Sequence, residues 1–190
     1  MTEKLIRPAQ QGDYNNQCGF YSVANVVSLL FPNIRRTILF ETIYDYYIET
    51  YGDATGALYG IYRDRLNKIL CHVIDEFELP CTVYRPWWSK KAANLEEFID
   101  KLRTVLNPPY SAIILGYEHG IEGKSGYYSH WSIIKKITEK SLLLFDSDGE
   151  NARISIQKCI LHDEEFSNEK PYKLFSTNTL IISIIQERGE

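Results

Sequence analysis

A β-rich stretch in the second half of the chain decides the fold: residues 130–146 read HWSIIKKITEKSLLLFD. Its two ends are rich in aromatic, leucine and β-branched residues, which are typical of strands. Thr138-Glu139-Lys140 form a short polar break between them, as in a hairpin of two antiparallel strands. In such a hairpin the start of the first strand lies beside the end of the second. The pattern therefore predicts that His130, which opens the first strand, and Asp146, which ends the second, are cross-strand neighbours.

Other strand-like runs flank this hairpin, and helix-like runs precede it. The strand-like runs cover residues 81–88, 111–117, 152–156 and 180–185. Apolar residues at helical spacing predict helices over 18–30, 34–51, 58–77 and 94–106, the last with a capping box of Asn94 and Glu97. Helices first and strands second predict an α+β fold with a mainly antiparallel sheet. The length suits a single domain, residues 1–190, with a helical half over about 1–80 and a sheet half over about 81–190.

Composition and charge argue against several classes of function. The net charge is −4 and no dense cluster of lysine or arginine is present, so nucleic acid is not expected as a partner. The longest apolar runs are too short to cross a bilayer, and the N-terminus lacks the apolar core of a signal peptide. We therefore expect no membrane partner, and a protein that is cytoplasmic or exported without a cleaved signal peptide. The irregular spacing of the four cysteines argues against a disulfide framework or a zinc site; they are Cys18, Cys71, Cys81 and Cys159.

Cys18 stands where an irregular segment becomes a helix, in residues 16–22, which read NQCGFYS. The unpaired N–H groups and partial positive charge at a helix N-terminus stabilise a thiolate. Gly19 leaves room for a substrate beside the sulfur, and the Cys18 N–H points to where an oxyanion would form during acyl transfer. The position suits a nucleophile, although a lone cysteine before a helix is more often a small buried residue.

A thiolate needs a base, and His130 is the best placed of the four histidines. The hairpin puts it beside Asp146, and a carboxylate in that position fixes the tautomer of a catalytic histidine. On its own, His130 would be interpreted as a surface or packing residue, and residues 146–149 would be interpreted as an ordinary hairpin loop. Their conjunction with Cys18 predicts a catalytic triad of nucleophile, base and orienting carboxylate. On the residues alone, an unrelated α+β domain in which the cysteine and histidine never meet stands beside this interpretation.

The order of these motifs resembles the papain-like cysteine peptidases. The closest similarity is to the compact peptidase domains of bacteriocin exporters and their stand-alone bacterial relatives. In that group a glutamine precedes Cys-Gly and a run of small or apolar residues, and a histidine followed by apolar residues and then an aspartate come much later. Here these positions are Gln11, Cys18-Gly19, His130 and Asp146. The resemblance covers the motifs and the element order, not the sequence between them.

The resemblance implies that a glutamine side chain completes the oxyanion hole. Gln11 fills that role best if the loop before Cys18 is one residue longer than usual, and Gln10 is the other candidate. Gln17, next to the nucleophile, is expected to cap or support the helix instead. Ser147 departs from the proline that usually follows the family's aspartate. The chemistry of this family requires no cofactor and no metal.

The function implied is hydrolysis of a peptide or amide bond in a peptide or protein substrate, through a thioester intermediate. The same triad would serve a glutamine deamidase, an isopeptidase or another acyl-transfer effector. A non-catalytic binding protein on the same scaffold is the alternative of another class. Five aromatic residues are expected either to line a substrate groove or to pack in the core: Trp87, Trp88, Tyr127, Tyr128 and Trp131.

Overall fold

The protein folds as a group of helices followed by a strand-rich half, in a computed structural model that describes residues 7–10, 16–53, 55–120, 126–149 and 153–186. The helices are α1 (Cys18–Leu30), α2 (Arg36–Tyr51), α3 (Thr55–Tyr59), α4 (Arg63–Glu76) and α5 (Leu95–Val105). The strands are β1 (Cys81–Tyr84), β2 (Ser111–Gly120), β3 (Tyr127–Ile137), β4 (Ser141–Phe145), β5 (Arg153–Ser155), β6 (Cys159–Leu161) and β7 (Tyr172–Ile184).

The strands form one seven-stranded sheet in the order β1-β7-β2-β3-β4-β5, with β6 also paired to β7. Every pairing is antiparallel except that of β6 with β7. The predicted α+β class with a mainly antiparallel sheet is confirmed. Among the described residues, no helix is both long and apolar enough to cross a membrane.

Two apolar cores cover the two faces of this sheet. One core joins α1, α2 and α4 to one face, where α1 buries most of its length, including Phe20 and Val23. The other core joins α5 to the opposite face through Phe98 and Leu102. A helix buried on nearly all sides is held by packing rather than by its own propensity. The N-terminus of α1, which carries Cys18, is therefore fixed by contacts with both the sheet and the other helices.

The helix expected over 58–77 is interrupted. The structure ends α3 at Tyr59 and begins α4 at Arg63. Between them Gly60 has a φ of 84°, a left-handed conformation that stops a helix and that glycine adopts without strain. The apolar spacing continues through the break, so periodicity alone gave one helix where there are two.

Several predicted strands differ in length from those in the structure. β1 ends at Tyr84 rather than at residue 88, and β3 begins at Tyr127, so His130 lies inside the strand rather than at its start. β7 begins at Tyr172 instead of residue 180, and β6 was not expected. Residues 175–178 of β7 form a bulge between the Leu115–Thr179 and Tyr117–Leu174 pairs, and this bulge interrupts the alternation that marks a strand.

Candidate active site

Cys18 is the first residue of α1 and is 5% exposed. The preceding residue, Gln17, stands at the N-cap position, but its side chain makes no capping hydrogen bond to the described backbone. Its Oε1 instead accepts a hydrogen bond of 2.9 Å from the Tyr44 hydroxyl on α2. Of the two roles expected for Gln17, the structure therefore shows support, because the side chain ties the start of α1 to a second helix and does not cap α1.

Gly19 is needed because the chain between α3 and α4 packs directly on it. A Cβ at residue 19 would lie 2.5 Å from Cγ1 of Ile61 and 3.5 Å from Cδ1 of Trp131. Trp131 in turn donates a 3.1 Å hydrogen bond from Nε1 to the Ile61 carbonyl. Ile61 and Trp131 thus form one wall beside the start of α1, next to Cys18. Nothing in the sequence indicates the contact between Gly19 and Ile61, because it joins segments far apart in the chain.

The hairpin brings His130 and Asp146 together, as the sequence predicts. The two strands pair up to Ile133 and Phe145, and Asp146 follows directly. His130 Nε2 lies 2.8 Å from Asp146 Oδ1, and each residue is 3% exposed. A buried imidazole held this closely by a carboxylate has a fixed orientation and tautomer.

Cys18 is the second partner of His130. Burial by itself lowers the pKa of His130, but hydrogen bonds with Asp146 and Cys18, and then the charges of both, raise that pKa to about 10. Because Nε2 faces Asp146, Nδ1 is the ring nitrogen left for the thiol. The structure therefore brings Cys18, His130 and Asp146 into one cluster, with the histidine in the middle.

The carboxylate of Asp146 is held in its charged form. Burial raises the pKa of Asp146, but the hydrogen bond and charge of His130, the Ser132 hydroxyl and the Asp148 N–H together lower it below its usual value. The Asp148 N–H donates to Oδ1 over 3.2 Å. An anionic Asp146 is the form that stabilises a protonated His130.

Gln11, the predicted oxyanion donor, lies outside the described residues, so its role stays a prediction. Gln10 is described, and its Nε2 donates a hydrogen bond of 3.3 Å to the carbonyl of Asp146. Gln10 therefore contacts the loop that carries Asp146, and its amide N–H is used in that contact.

Three potential metal ligands meet at this site. The ligand atoms of His130, Asp146 and Asp148 lie within 4.8 Å of one another, and His130 Nε2 is 3.9 Å from Asp148 Oδ2. The His130–Asp146 hydrogen bond already uses the imidazole nitrogen that such an ion would need. The hydrogen bond between His130 and Asp146 therefore accounts for their closeness, and the donor set gives no separate argument for a metal.

The five aromatic candidates divide between core and surface. Trp87 and Trp131 are buried in the two cores. Trp88 is half-buried under Arg63, whose guanidinium carbon lies 4.7 Å from the ring centroid. Tyr127 and Tyr128 border a cleft beside β3. Tyr117, which the sequence did not single out, packs edge-on to the His130 ring with centroids 5.5 Å apart.

Comparison with known proteins finds similarity in structure but not in sequence. No protein-family model matches the chain, and no curated protein sequence matches it. A crystal structure described as a "putative C39-like peptidase" from Bacillus anthracis superposes with a TM-score of 0.50 and 10% identity, covering 97% of this chain and 96% of that one. The fold is C39-like. At that identity the likeness concerns the fold alone, and it confirms the expected papain-like α+β arrangement.

Proposed function

We propose that this chain is a papain-like cysteine hydrolase that cleaves a peptide or amide bond. One observation carries the proposal: His130 is buried between the Asp146 carboxylate and the thiol of Cys18. Cys18 itself is the first residue of a buried helix. Nucleophilic catalysis by cysteine needs this order of groups, with a base on the sulfur and a third group orienting the base. The fold, shared with a protein described as a C39-like peptidase, agrees with it.

In the proposed reaction the Cys18 thiolate attacks the substrate carbonyl carbon while His130 carries the proton. The negative charge that develops on the carbonyl oxygen is stabilised by the Cys18 N–H and, as the sequence predicts, by the Gln11 amide. His130 gives its proton to the leaving amine as the C–N bond breaks, leaving a thioester on Cys18. Water then attacks the thioester, His130 accepts its proton, and the C–S bond breaks to release the acid.

The raised pKa of His130 matters for the leaving-group step. With a pKa of about 10, the imidazolium is the main form at neutral pH and is ready to act as the acid. Asp146 keeps that proton in place by charge and orientation. The substrate class that fits is a peptide or a protein, and deamidation or transfer to an amine would use the same three residues.

Selective alkylation tests the proposal directly. A histidine-paired thiolate reacts with iodoacetamide even at about pH 5.5, where ordinary thiols are protonated and inert. The other cysteines are internal controls, because burial raises the pKa of each of them. The pKa of Cys71 is raised, that of Cys81 to about 11 and that of Cys159 to about 12. Peptide mapping by mass spectrometry should find label on Cys18 alone, lost in His130→Ala. Uniformly slow labelling in the wild type, or no change in the variant, would reject the triad.

Hydrolysis itself requires a second measurement. Wild type and Cys18→Ala would be incubated with a peptide library made from a digested proteome, and new termini would be identified by mass spectrometry. We expect new termini only with the wild type. A reactive Cys18 without any cleavage would favour a deamidase or transferase, and intact-mass analysis of the same library detects the gain of about one mass unit that deamidation causes.

A further inference from the structure

A large cleft lies at the sheet end where β2 finishes and β3 and β7 begin. Its volume is about 1070 Å³. Aromatic rings and two cationic side chains dominate its lining, among them Tyr127, Tyr128, Phe166, Tyr172, Arg153 and Lys158. None of its described lining residues belongs to α1 or to the wall formed by Ile61 and Trp131. The cleft is therefore separate from the nucleophile helix.

Ring contacts connect His130 to the residues that line the cleft. Tyr117 pairs with His130 across β2 and β3, and His119 pairs with Tyr128 two residues along, so all four side chains lie on one face of the sheet. Tyr128 and His130 have ring centroids 6.3 Å apart, and His119 stacks on Tyr172 at 4.6 Å. An aromatic surface thus leads from the triad histidine into the cleft.

Charge indicates what the cleft would bind. Arg153 and Lys158 are both exposed at its rim, and no aspartate or glutamate is among the lining residues that the structure describes. Arg153 donates from Nε to Ser141 Oγ over 2.9 Å, which holds the guanidinium in place. Burial lowers the pKa of His119, so its stacked ring is neutral at neutral pH and adds an aromatic surface. A positive, aromatic cleft in a chain of net charge −4 favours an anionic group beside an apolar one.

We propose that this cleft binds the leaving-group side of the substrate, as a polypeptide segment in which an aromatic or aliphatic side chain stands near a carboxylate. This inference rests on the proposed hydrolase function. The histidine of a cysteine hydrolase protonates the leaving amine, so the part of the substrate beyond the scissile bond lies on the histidine side. The cleft adjoins His130 and not the nucleophile helix, which assigns it to that part. Rings in the cleft supply stacking surface, while Arg153 and Lys158 select for the acid.

Binding can be measured without catalysis. Full-length Cys18→Ala would be used to select from a phage-displayed library of random dodecapeptides, and selected sequences would be synthesised and titrated by fluorescence polarisation. We expect peptides that combine acidic with aromatic or aliphatic residues. Lys158→Glu should weaken them by roughly fivefold, the upper end of what an exposed ion pair contributes. Lys68→Glu, on the exposed side of α4, makes the same charge change away from the cleft and should leave affinity unchanged.

A second variant separates the aromatic contribution. Phe166 is half-buried, stacks on Tyr127 with centroids 5.8 Å apart, and lies under Lys173. Phe166→Ala should weaken the same peptides while leaving their preference for acidic residues unchanged. Thermal unfolding of the variant establishes that it folds. Selection of peptides without acidic residues, no selection above background, or affinity indifferent to both Lys158→Glu and Phe166→Ala would overturn the cleft assignment.

Cleavage of the selected peptides by the wild type distinguishes the cleft from the function. Peptides that bind but are never cleaved would support peptide binding by the cleft and contradict the proposed hydrolysis. If the acidic residues of the cleaved peptides lie on the C-terminal side of the scissile bond, the leaving-group assignment is supported. Acidic residues on the N-terminal side would overturn that assignment, even though the hydrolase proposal would hold.

Discussion

The two halves of the candidate site are built in different ways. His130 and Asp146 belong to one hairpin, in which a register shift between Ile134 and Lys136 places Asp146 on the same face of the sheet as His130. Cys18 belongs to a helix whose position depends on packing against α2, α4 and the sheet. The wall beside the start of this helix is formed by Ile61 and Trp131, which lie elsewhere in the chain. The histidine side is thus set by local register, and the cysteine side by long-range packing. Substitutions on the histidine side should therefore reduce activity first, whereas substitutions around Cys18 should reduce stability first.

The largest effect is expected from Asp146→Asn on the hairpin side. The asparagine keeps the size of the side chain but removes the charge that helps to raise the pKa of His130. We expect turnover to fall by about 10⁴, the loss seen when the orienting aspartate of a Ser-His-Asp triad is changed to asparagine. The alkaline limb of the pH–rate profile should also move to lower pH. The profile would be measured on a peptide from the cleavage screen, and an unchanged alkaline limb would contradict the role given to Asp146.

The same histidine should make stability depend on pH. The folded-state pKa of about 10 lies above the unfolded value of about 6.5, so the folded protein holds this proton more tightly. The stabilisation is fully present below about pH 6.5 and is lost as pH rises through the folded-state value. Urea unfolding of Cys18→Ala, which has no thiol to give up the proton that His130 takes, should give a free energy of unfolding that falls between about pH 6.5 and 8, before the other cysteines and the tyrosines titrate in the unfolded chain. Adding His130→Ala to this variant should flatten the slope, and an equal slope in the double variant would assign the dependence to other groups.

On the cysteine side, Gly19→Ala should reduce stability before it alters chemistry. The new methyl would overlap Ile61, which is 6% exposed and has little room to move. Overpacking of this kind costs about 1–3 kcal/mol. Denaturant unfolding would measure the loss, and the double variant Gly19→Ala/Ile61→Ala should recover part of it relative to the two single changes. Additive losses in this double-mutant cycle would mean that the two residues are not coupled.

The contrast also explains what could be predicted from the sequence. The meeting of His130 with Asp146 was predicted from two strand-like runs and one turn, because pairing within a hairpin is a local property. The register shift between Ile134 and Lys136, which sets the face on which Asp146 lies, was not predicted. The start of α1 at Cys18 was predicted from the sequence, since apolar residues at helical spacing marked the helix. Both predictions depend on residues near one another in the chain.

The features that were missed depend on distant contacts. The break between α3 and α4 places Ile61 over Gly19, and nothing in the residues around Gly60 indicates what lies beneath them. Gln17 was expected to cap or support the helix, but the sequence did not indicate that its partner is Tyr44 on another helix. The extension of β3 back to Tyr127 follows from pairing with the end of β2 rather than from its own sequence, and this extension forms part of the cleft.

The smallest effect is expected where the long-range support of Cys18 is a single hydrogen bond. Tyr44→Phe removes the hydroxyl that donates to Gln17 and keeps the ring that stacks on Phe20 with centroids 4.9 Å apart. A hydrogen bond of this kind contributes about 0.5–1.5 kcal/mol to stability. Because Gln17 immediately precedes the nucleophile, the alkylation rate of Cys18 should fall by a few-fold at most, with its dependence on His130 intact. Tyr21→Phe, on α1 itself, is the matched control and should leave that rate unchanged. A loss of alkylation as complete as in His130→Ala would show that the cysteine side contributes chemistry as well as position, and the division between the two sides would fail.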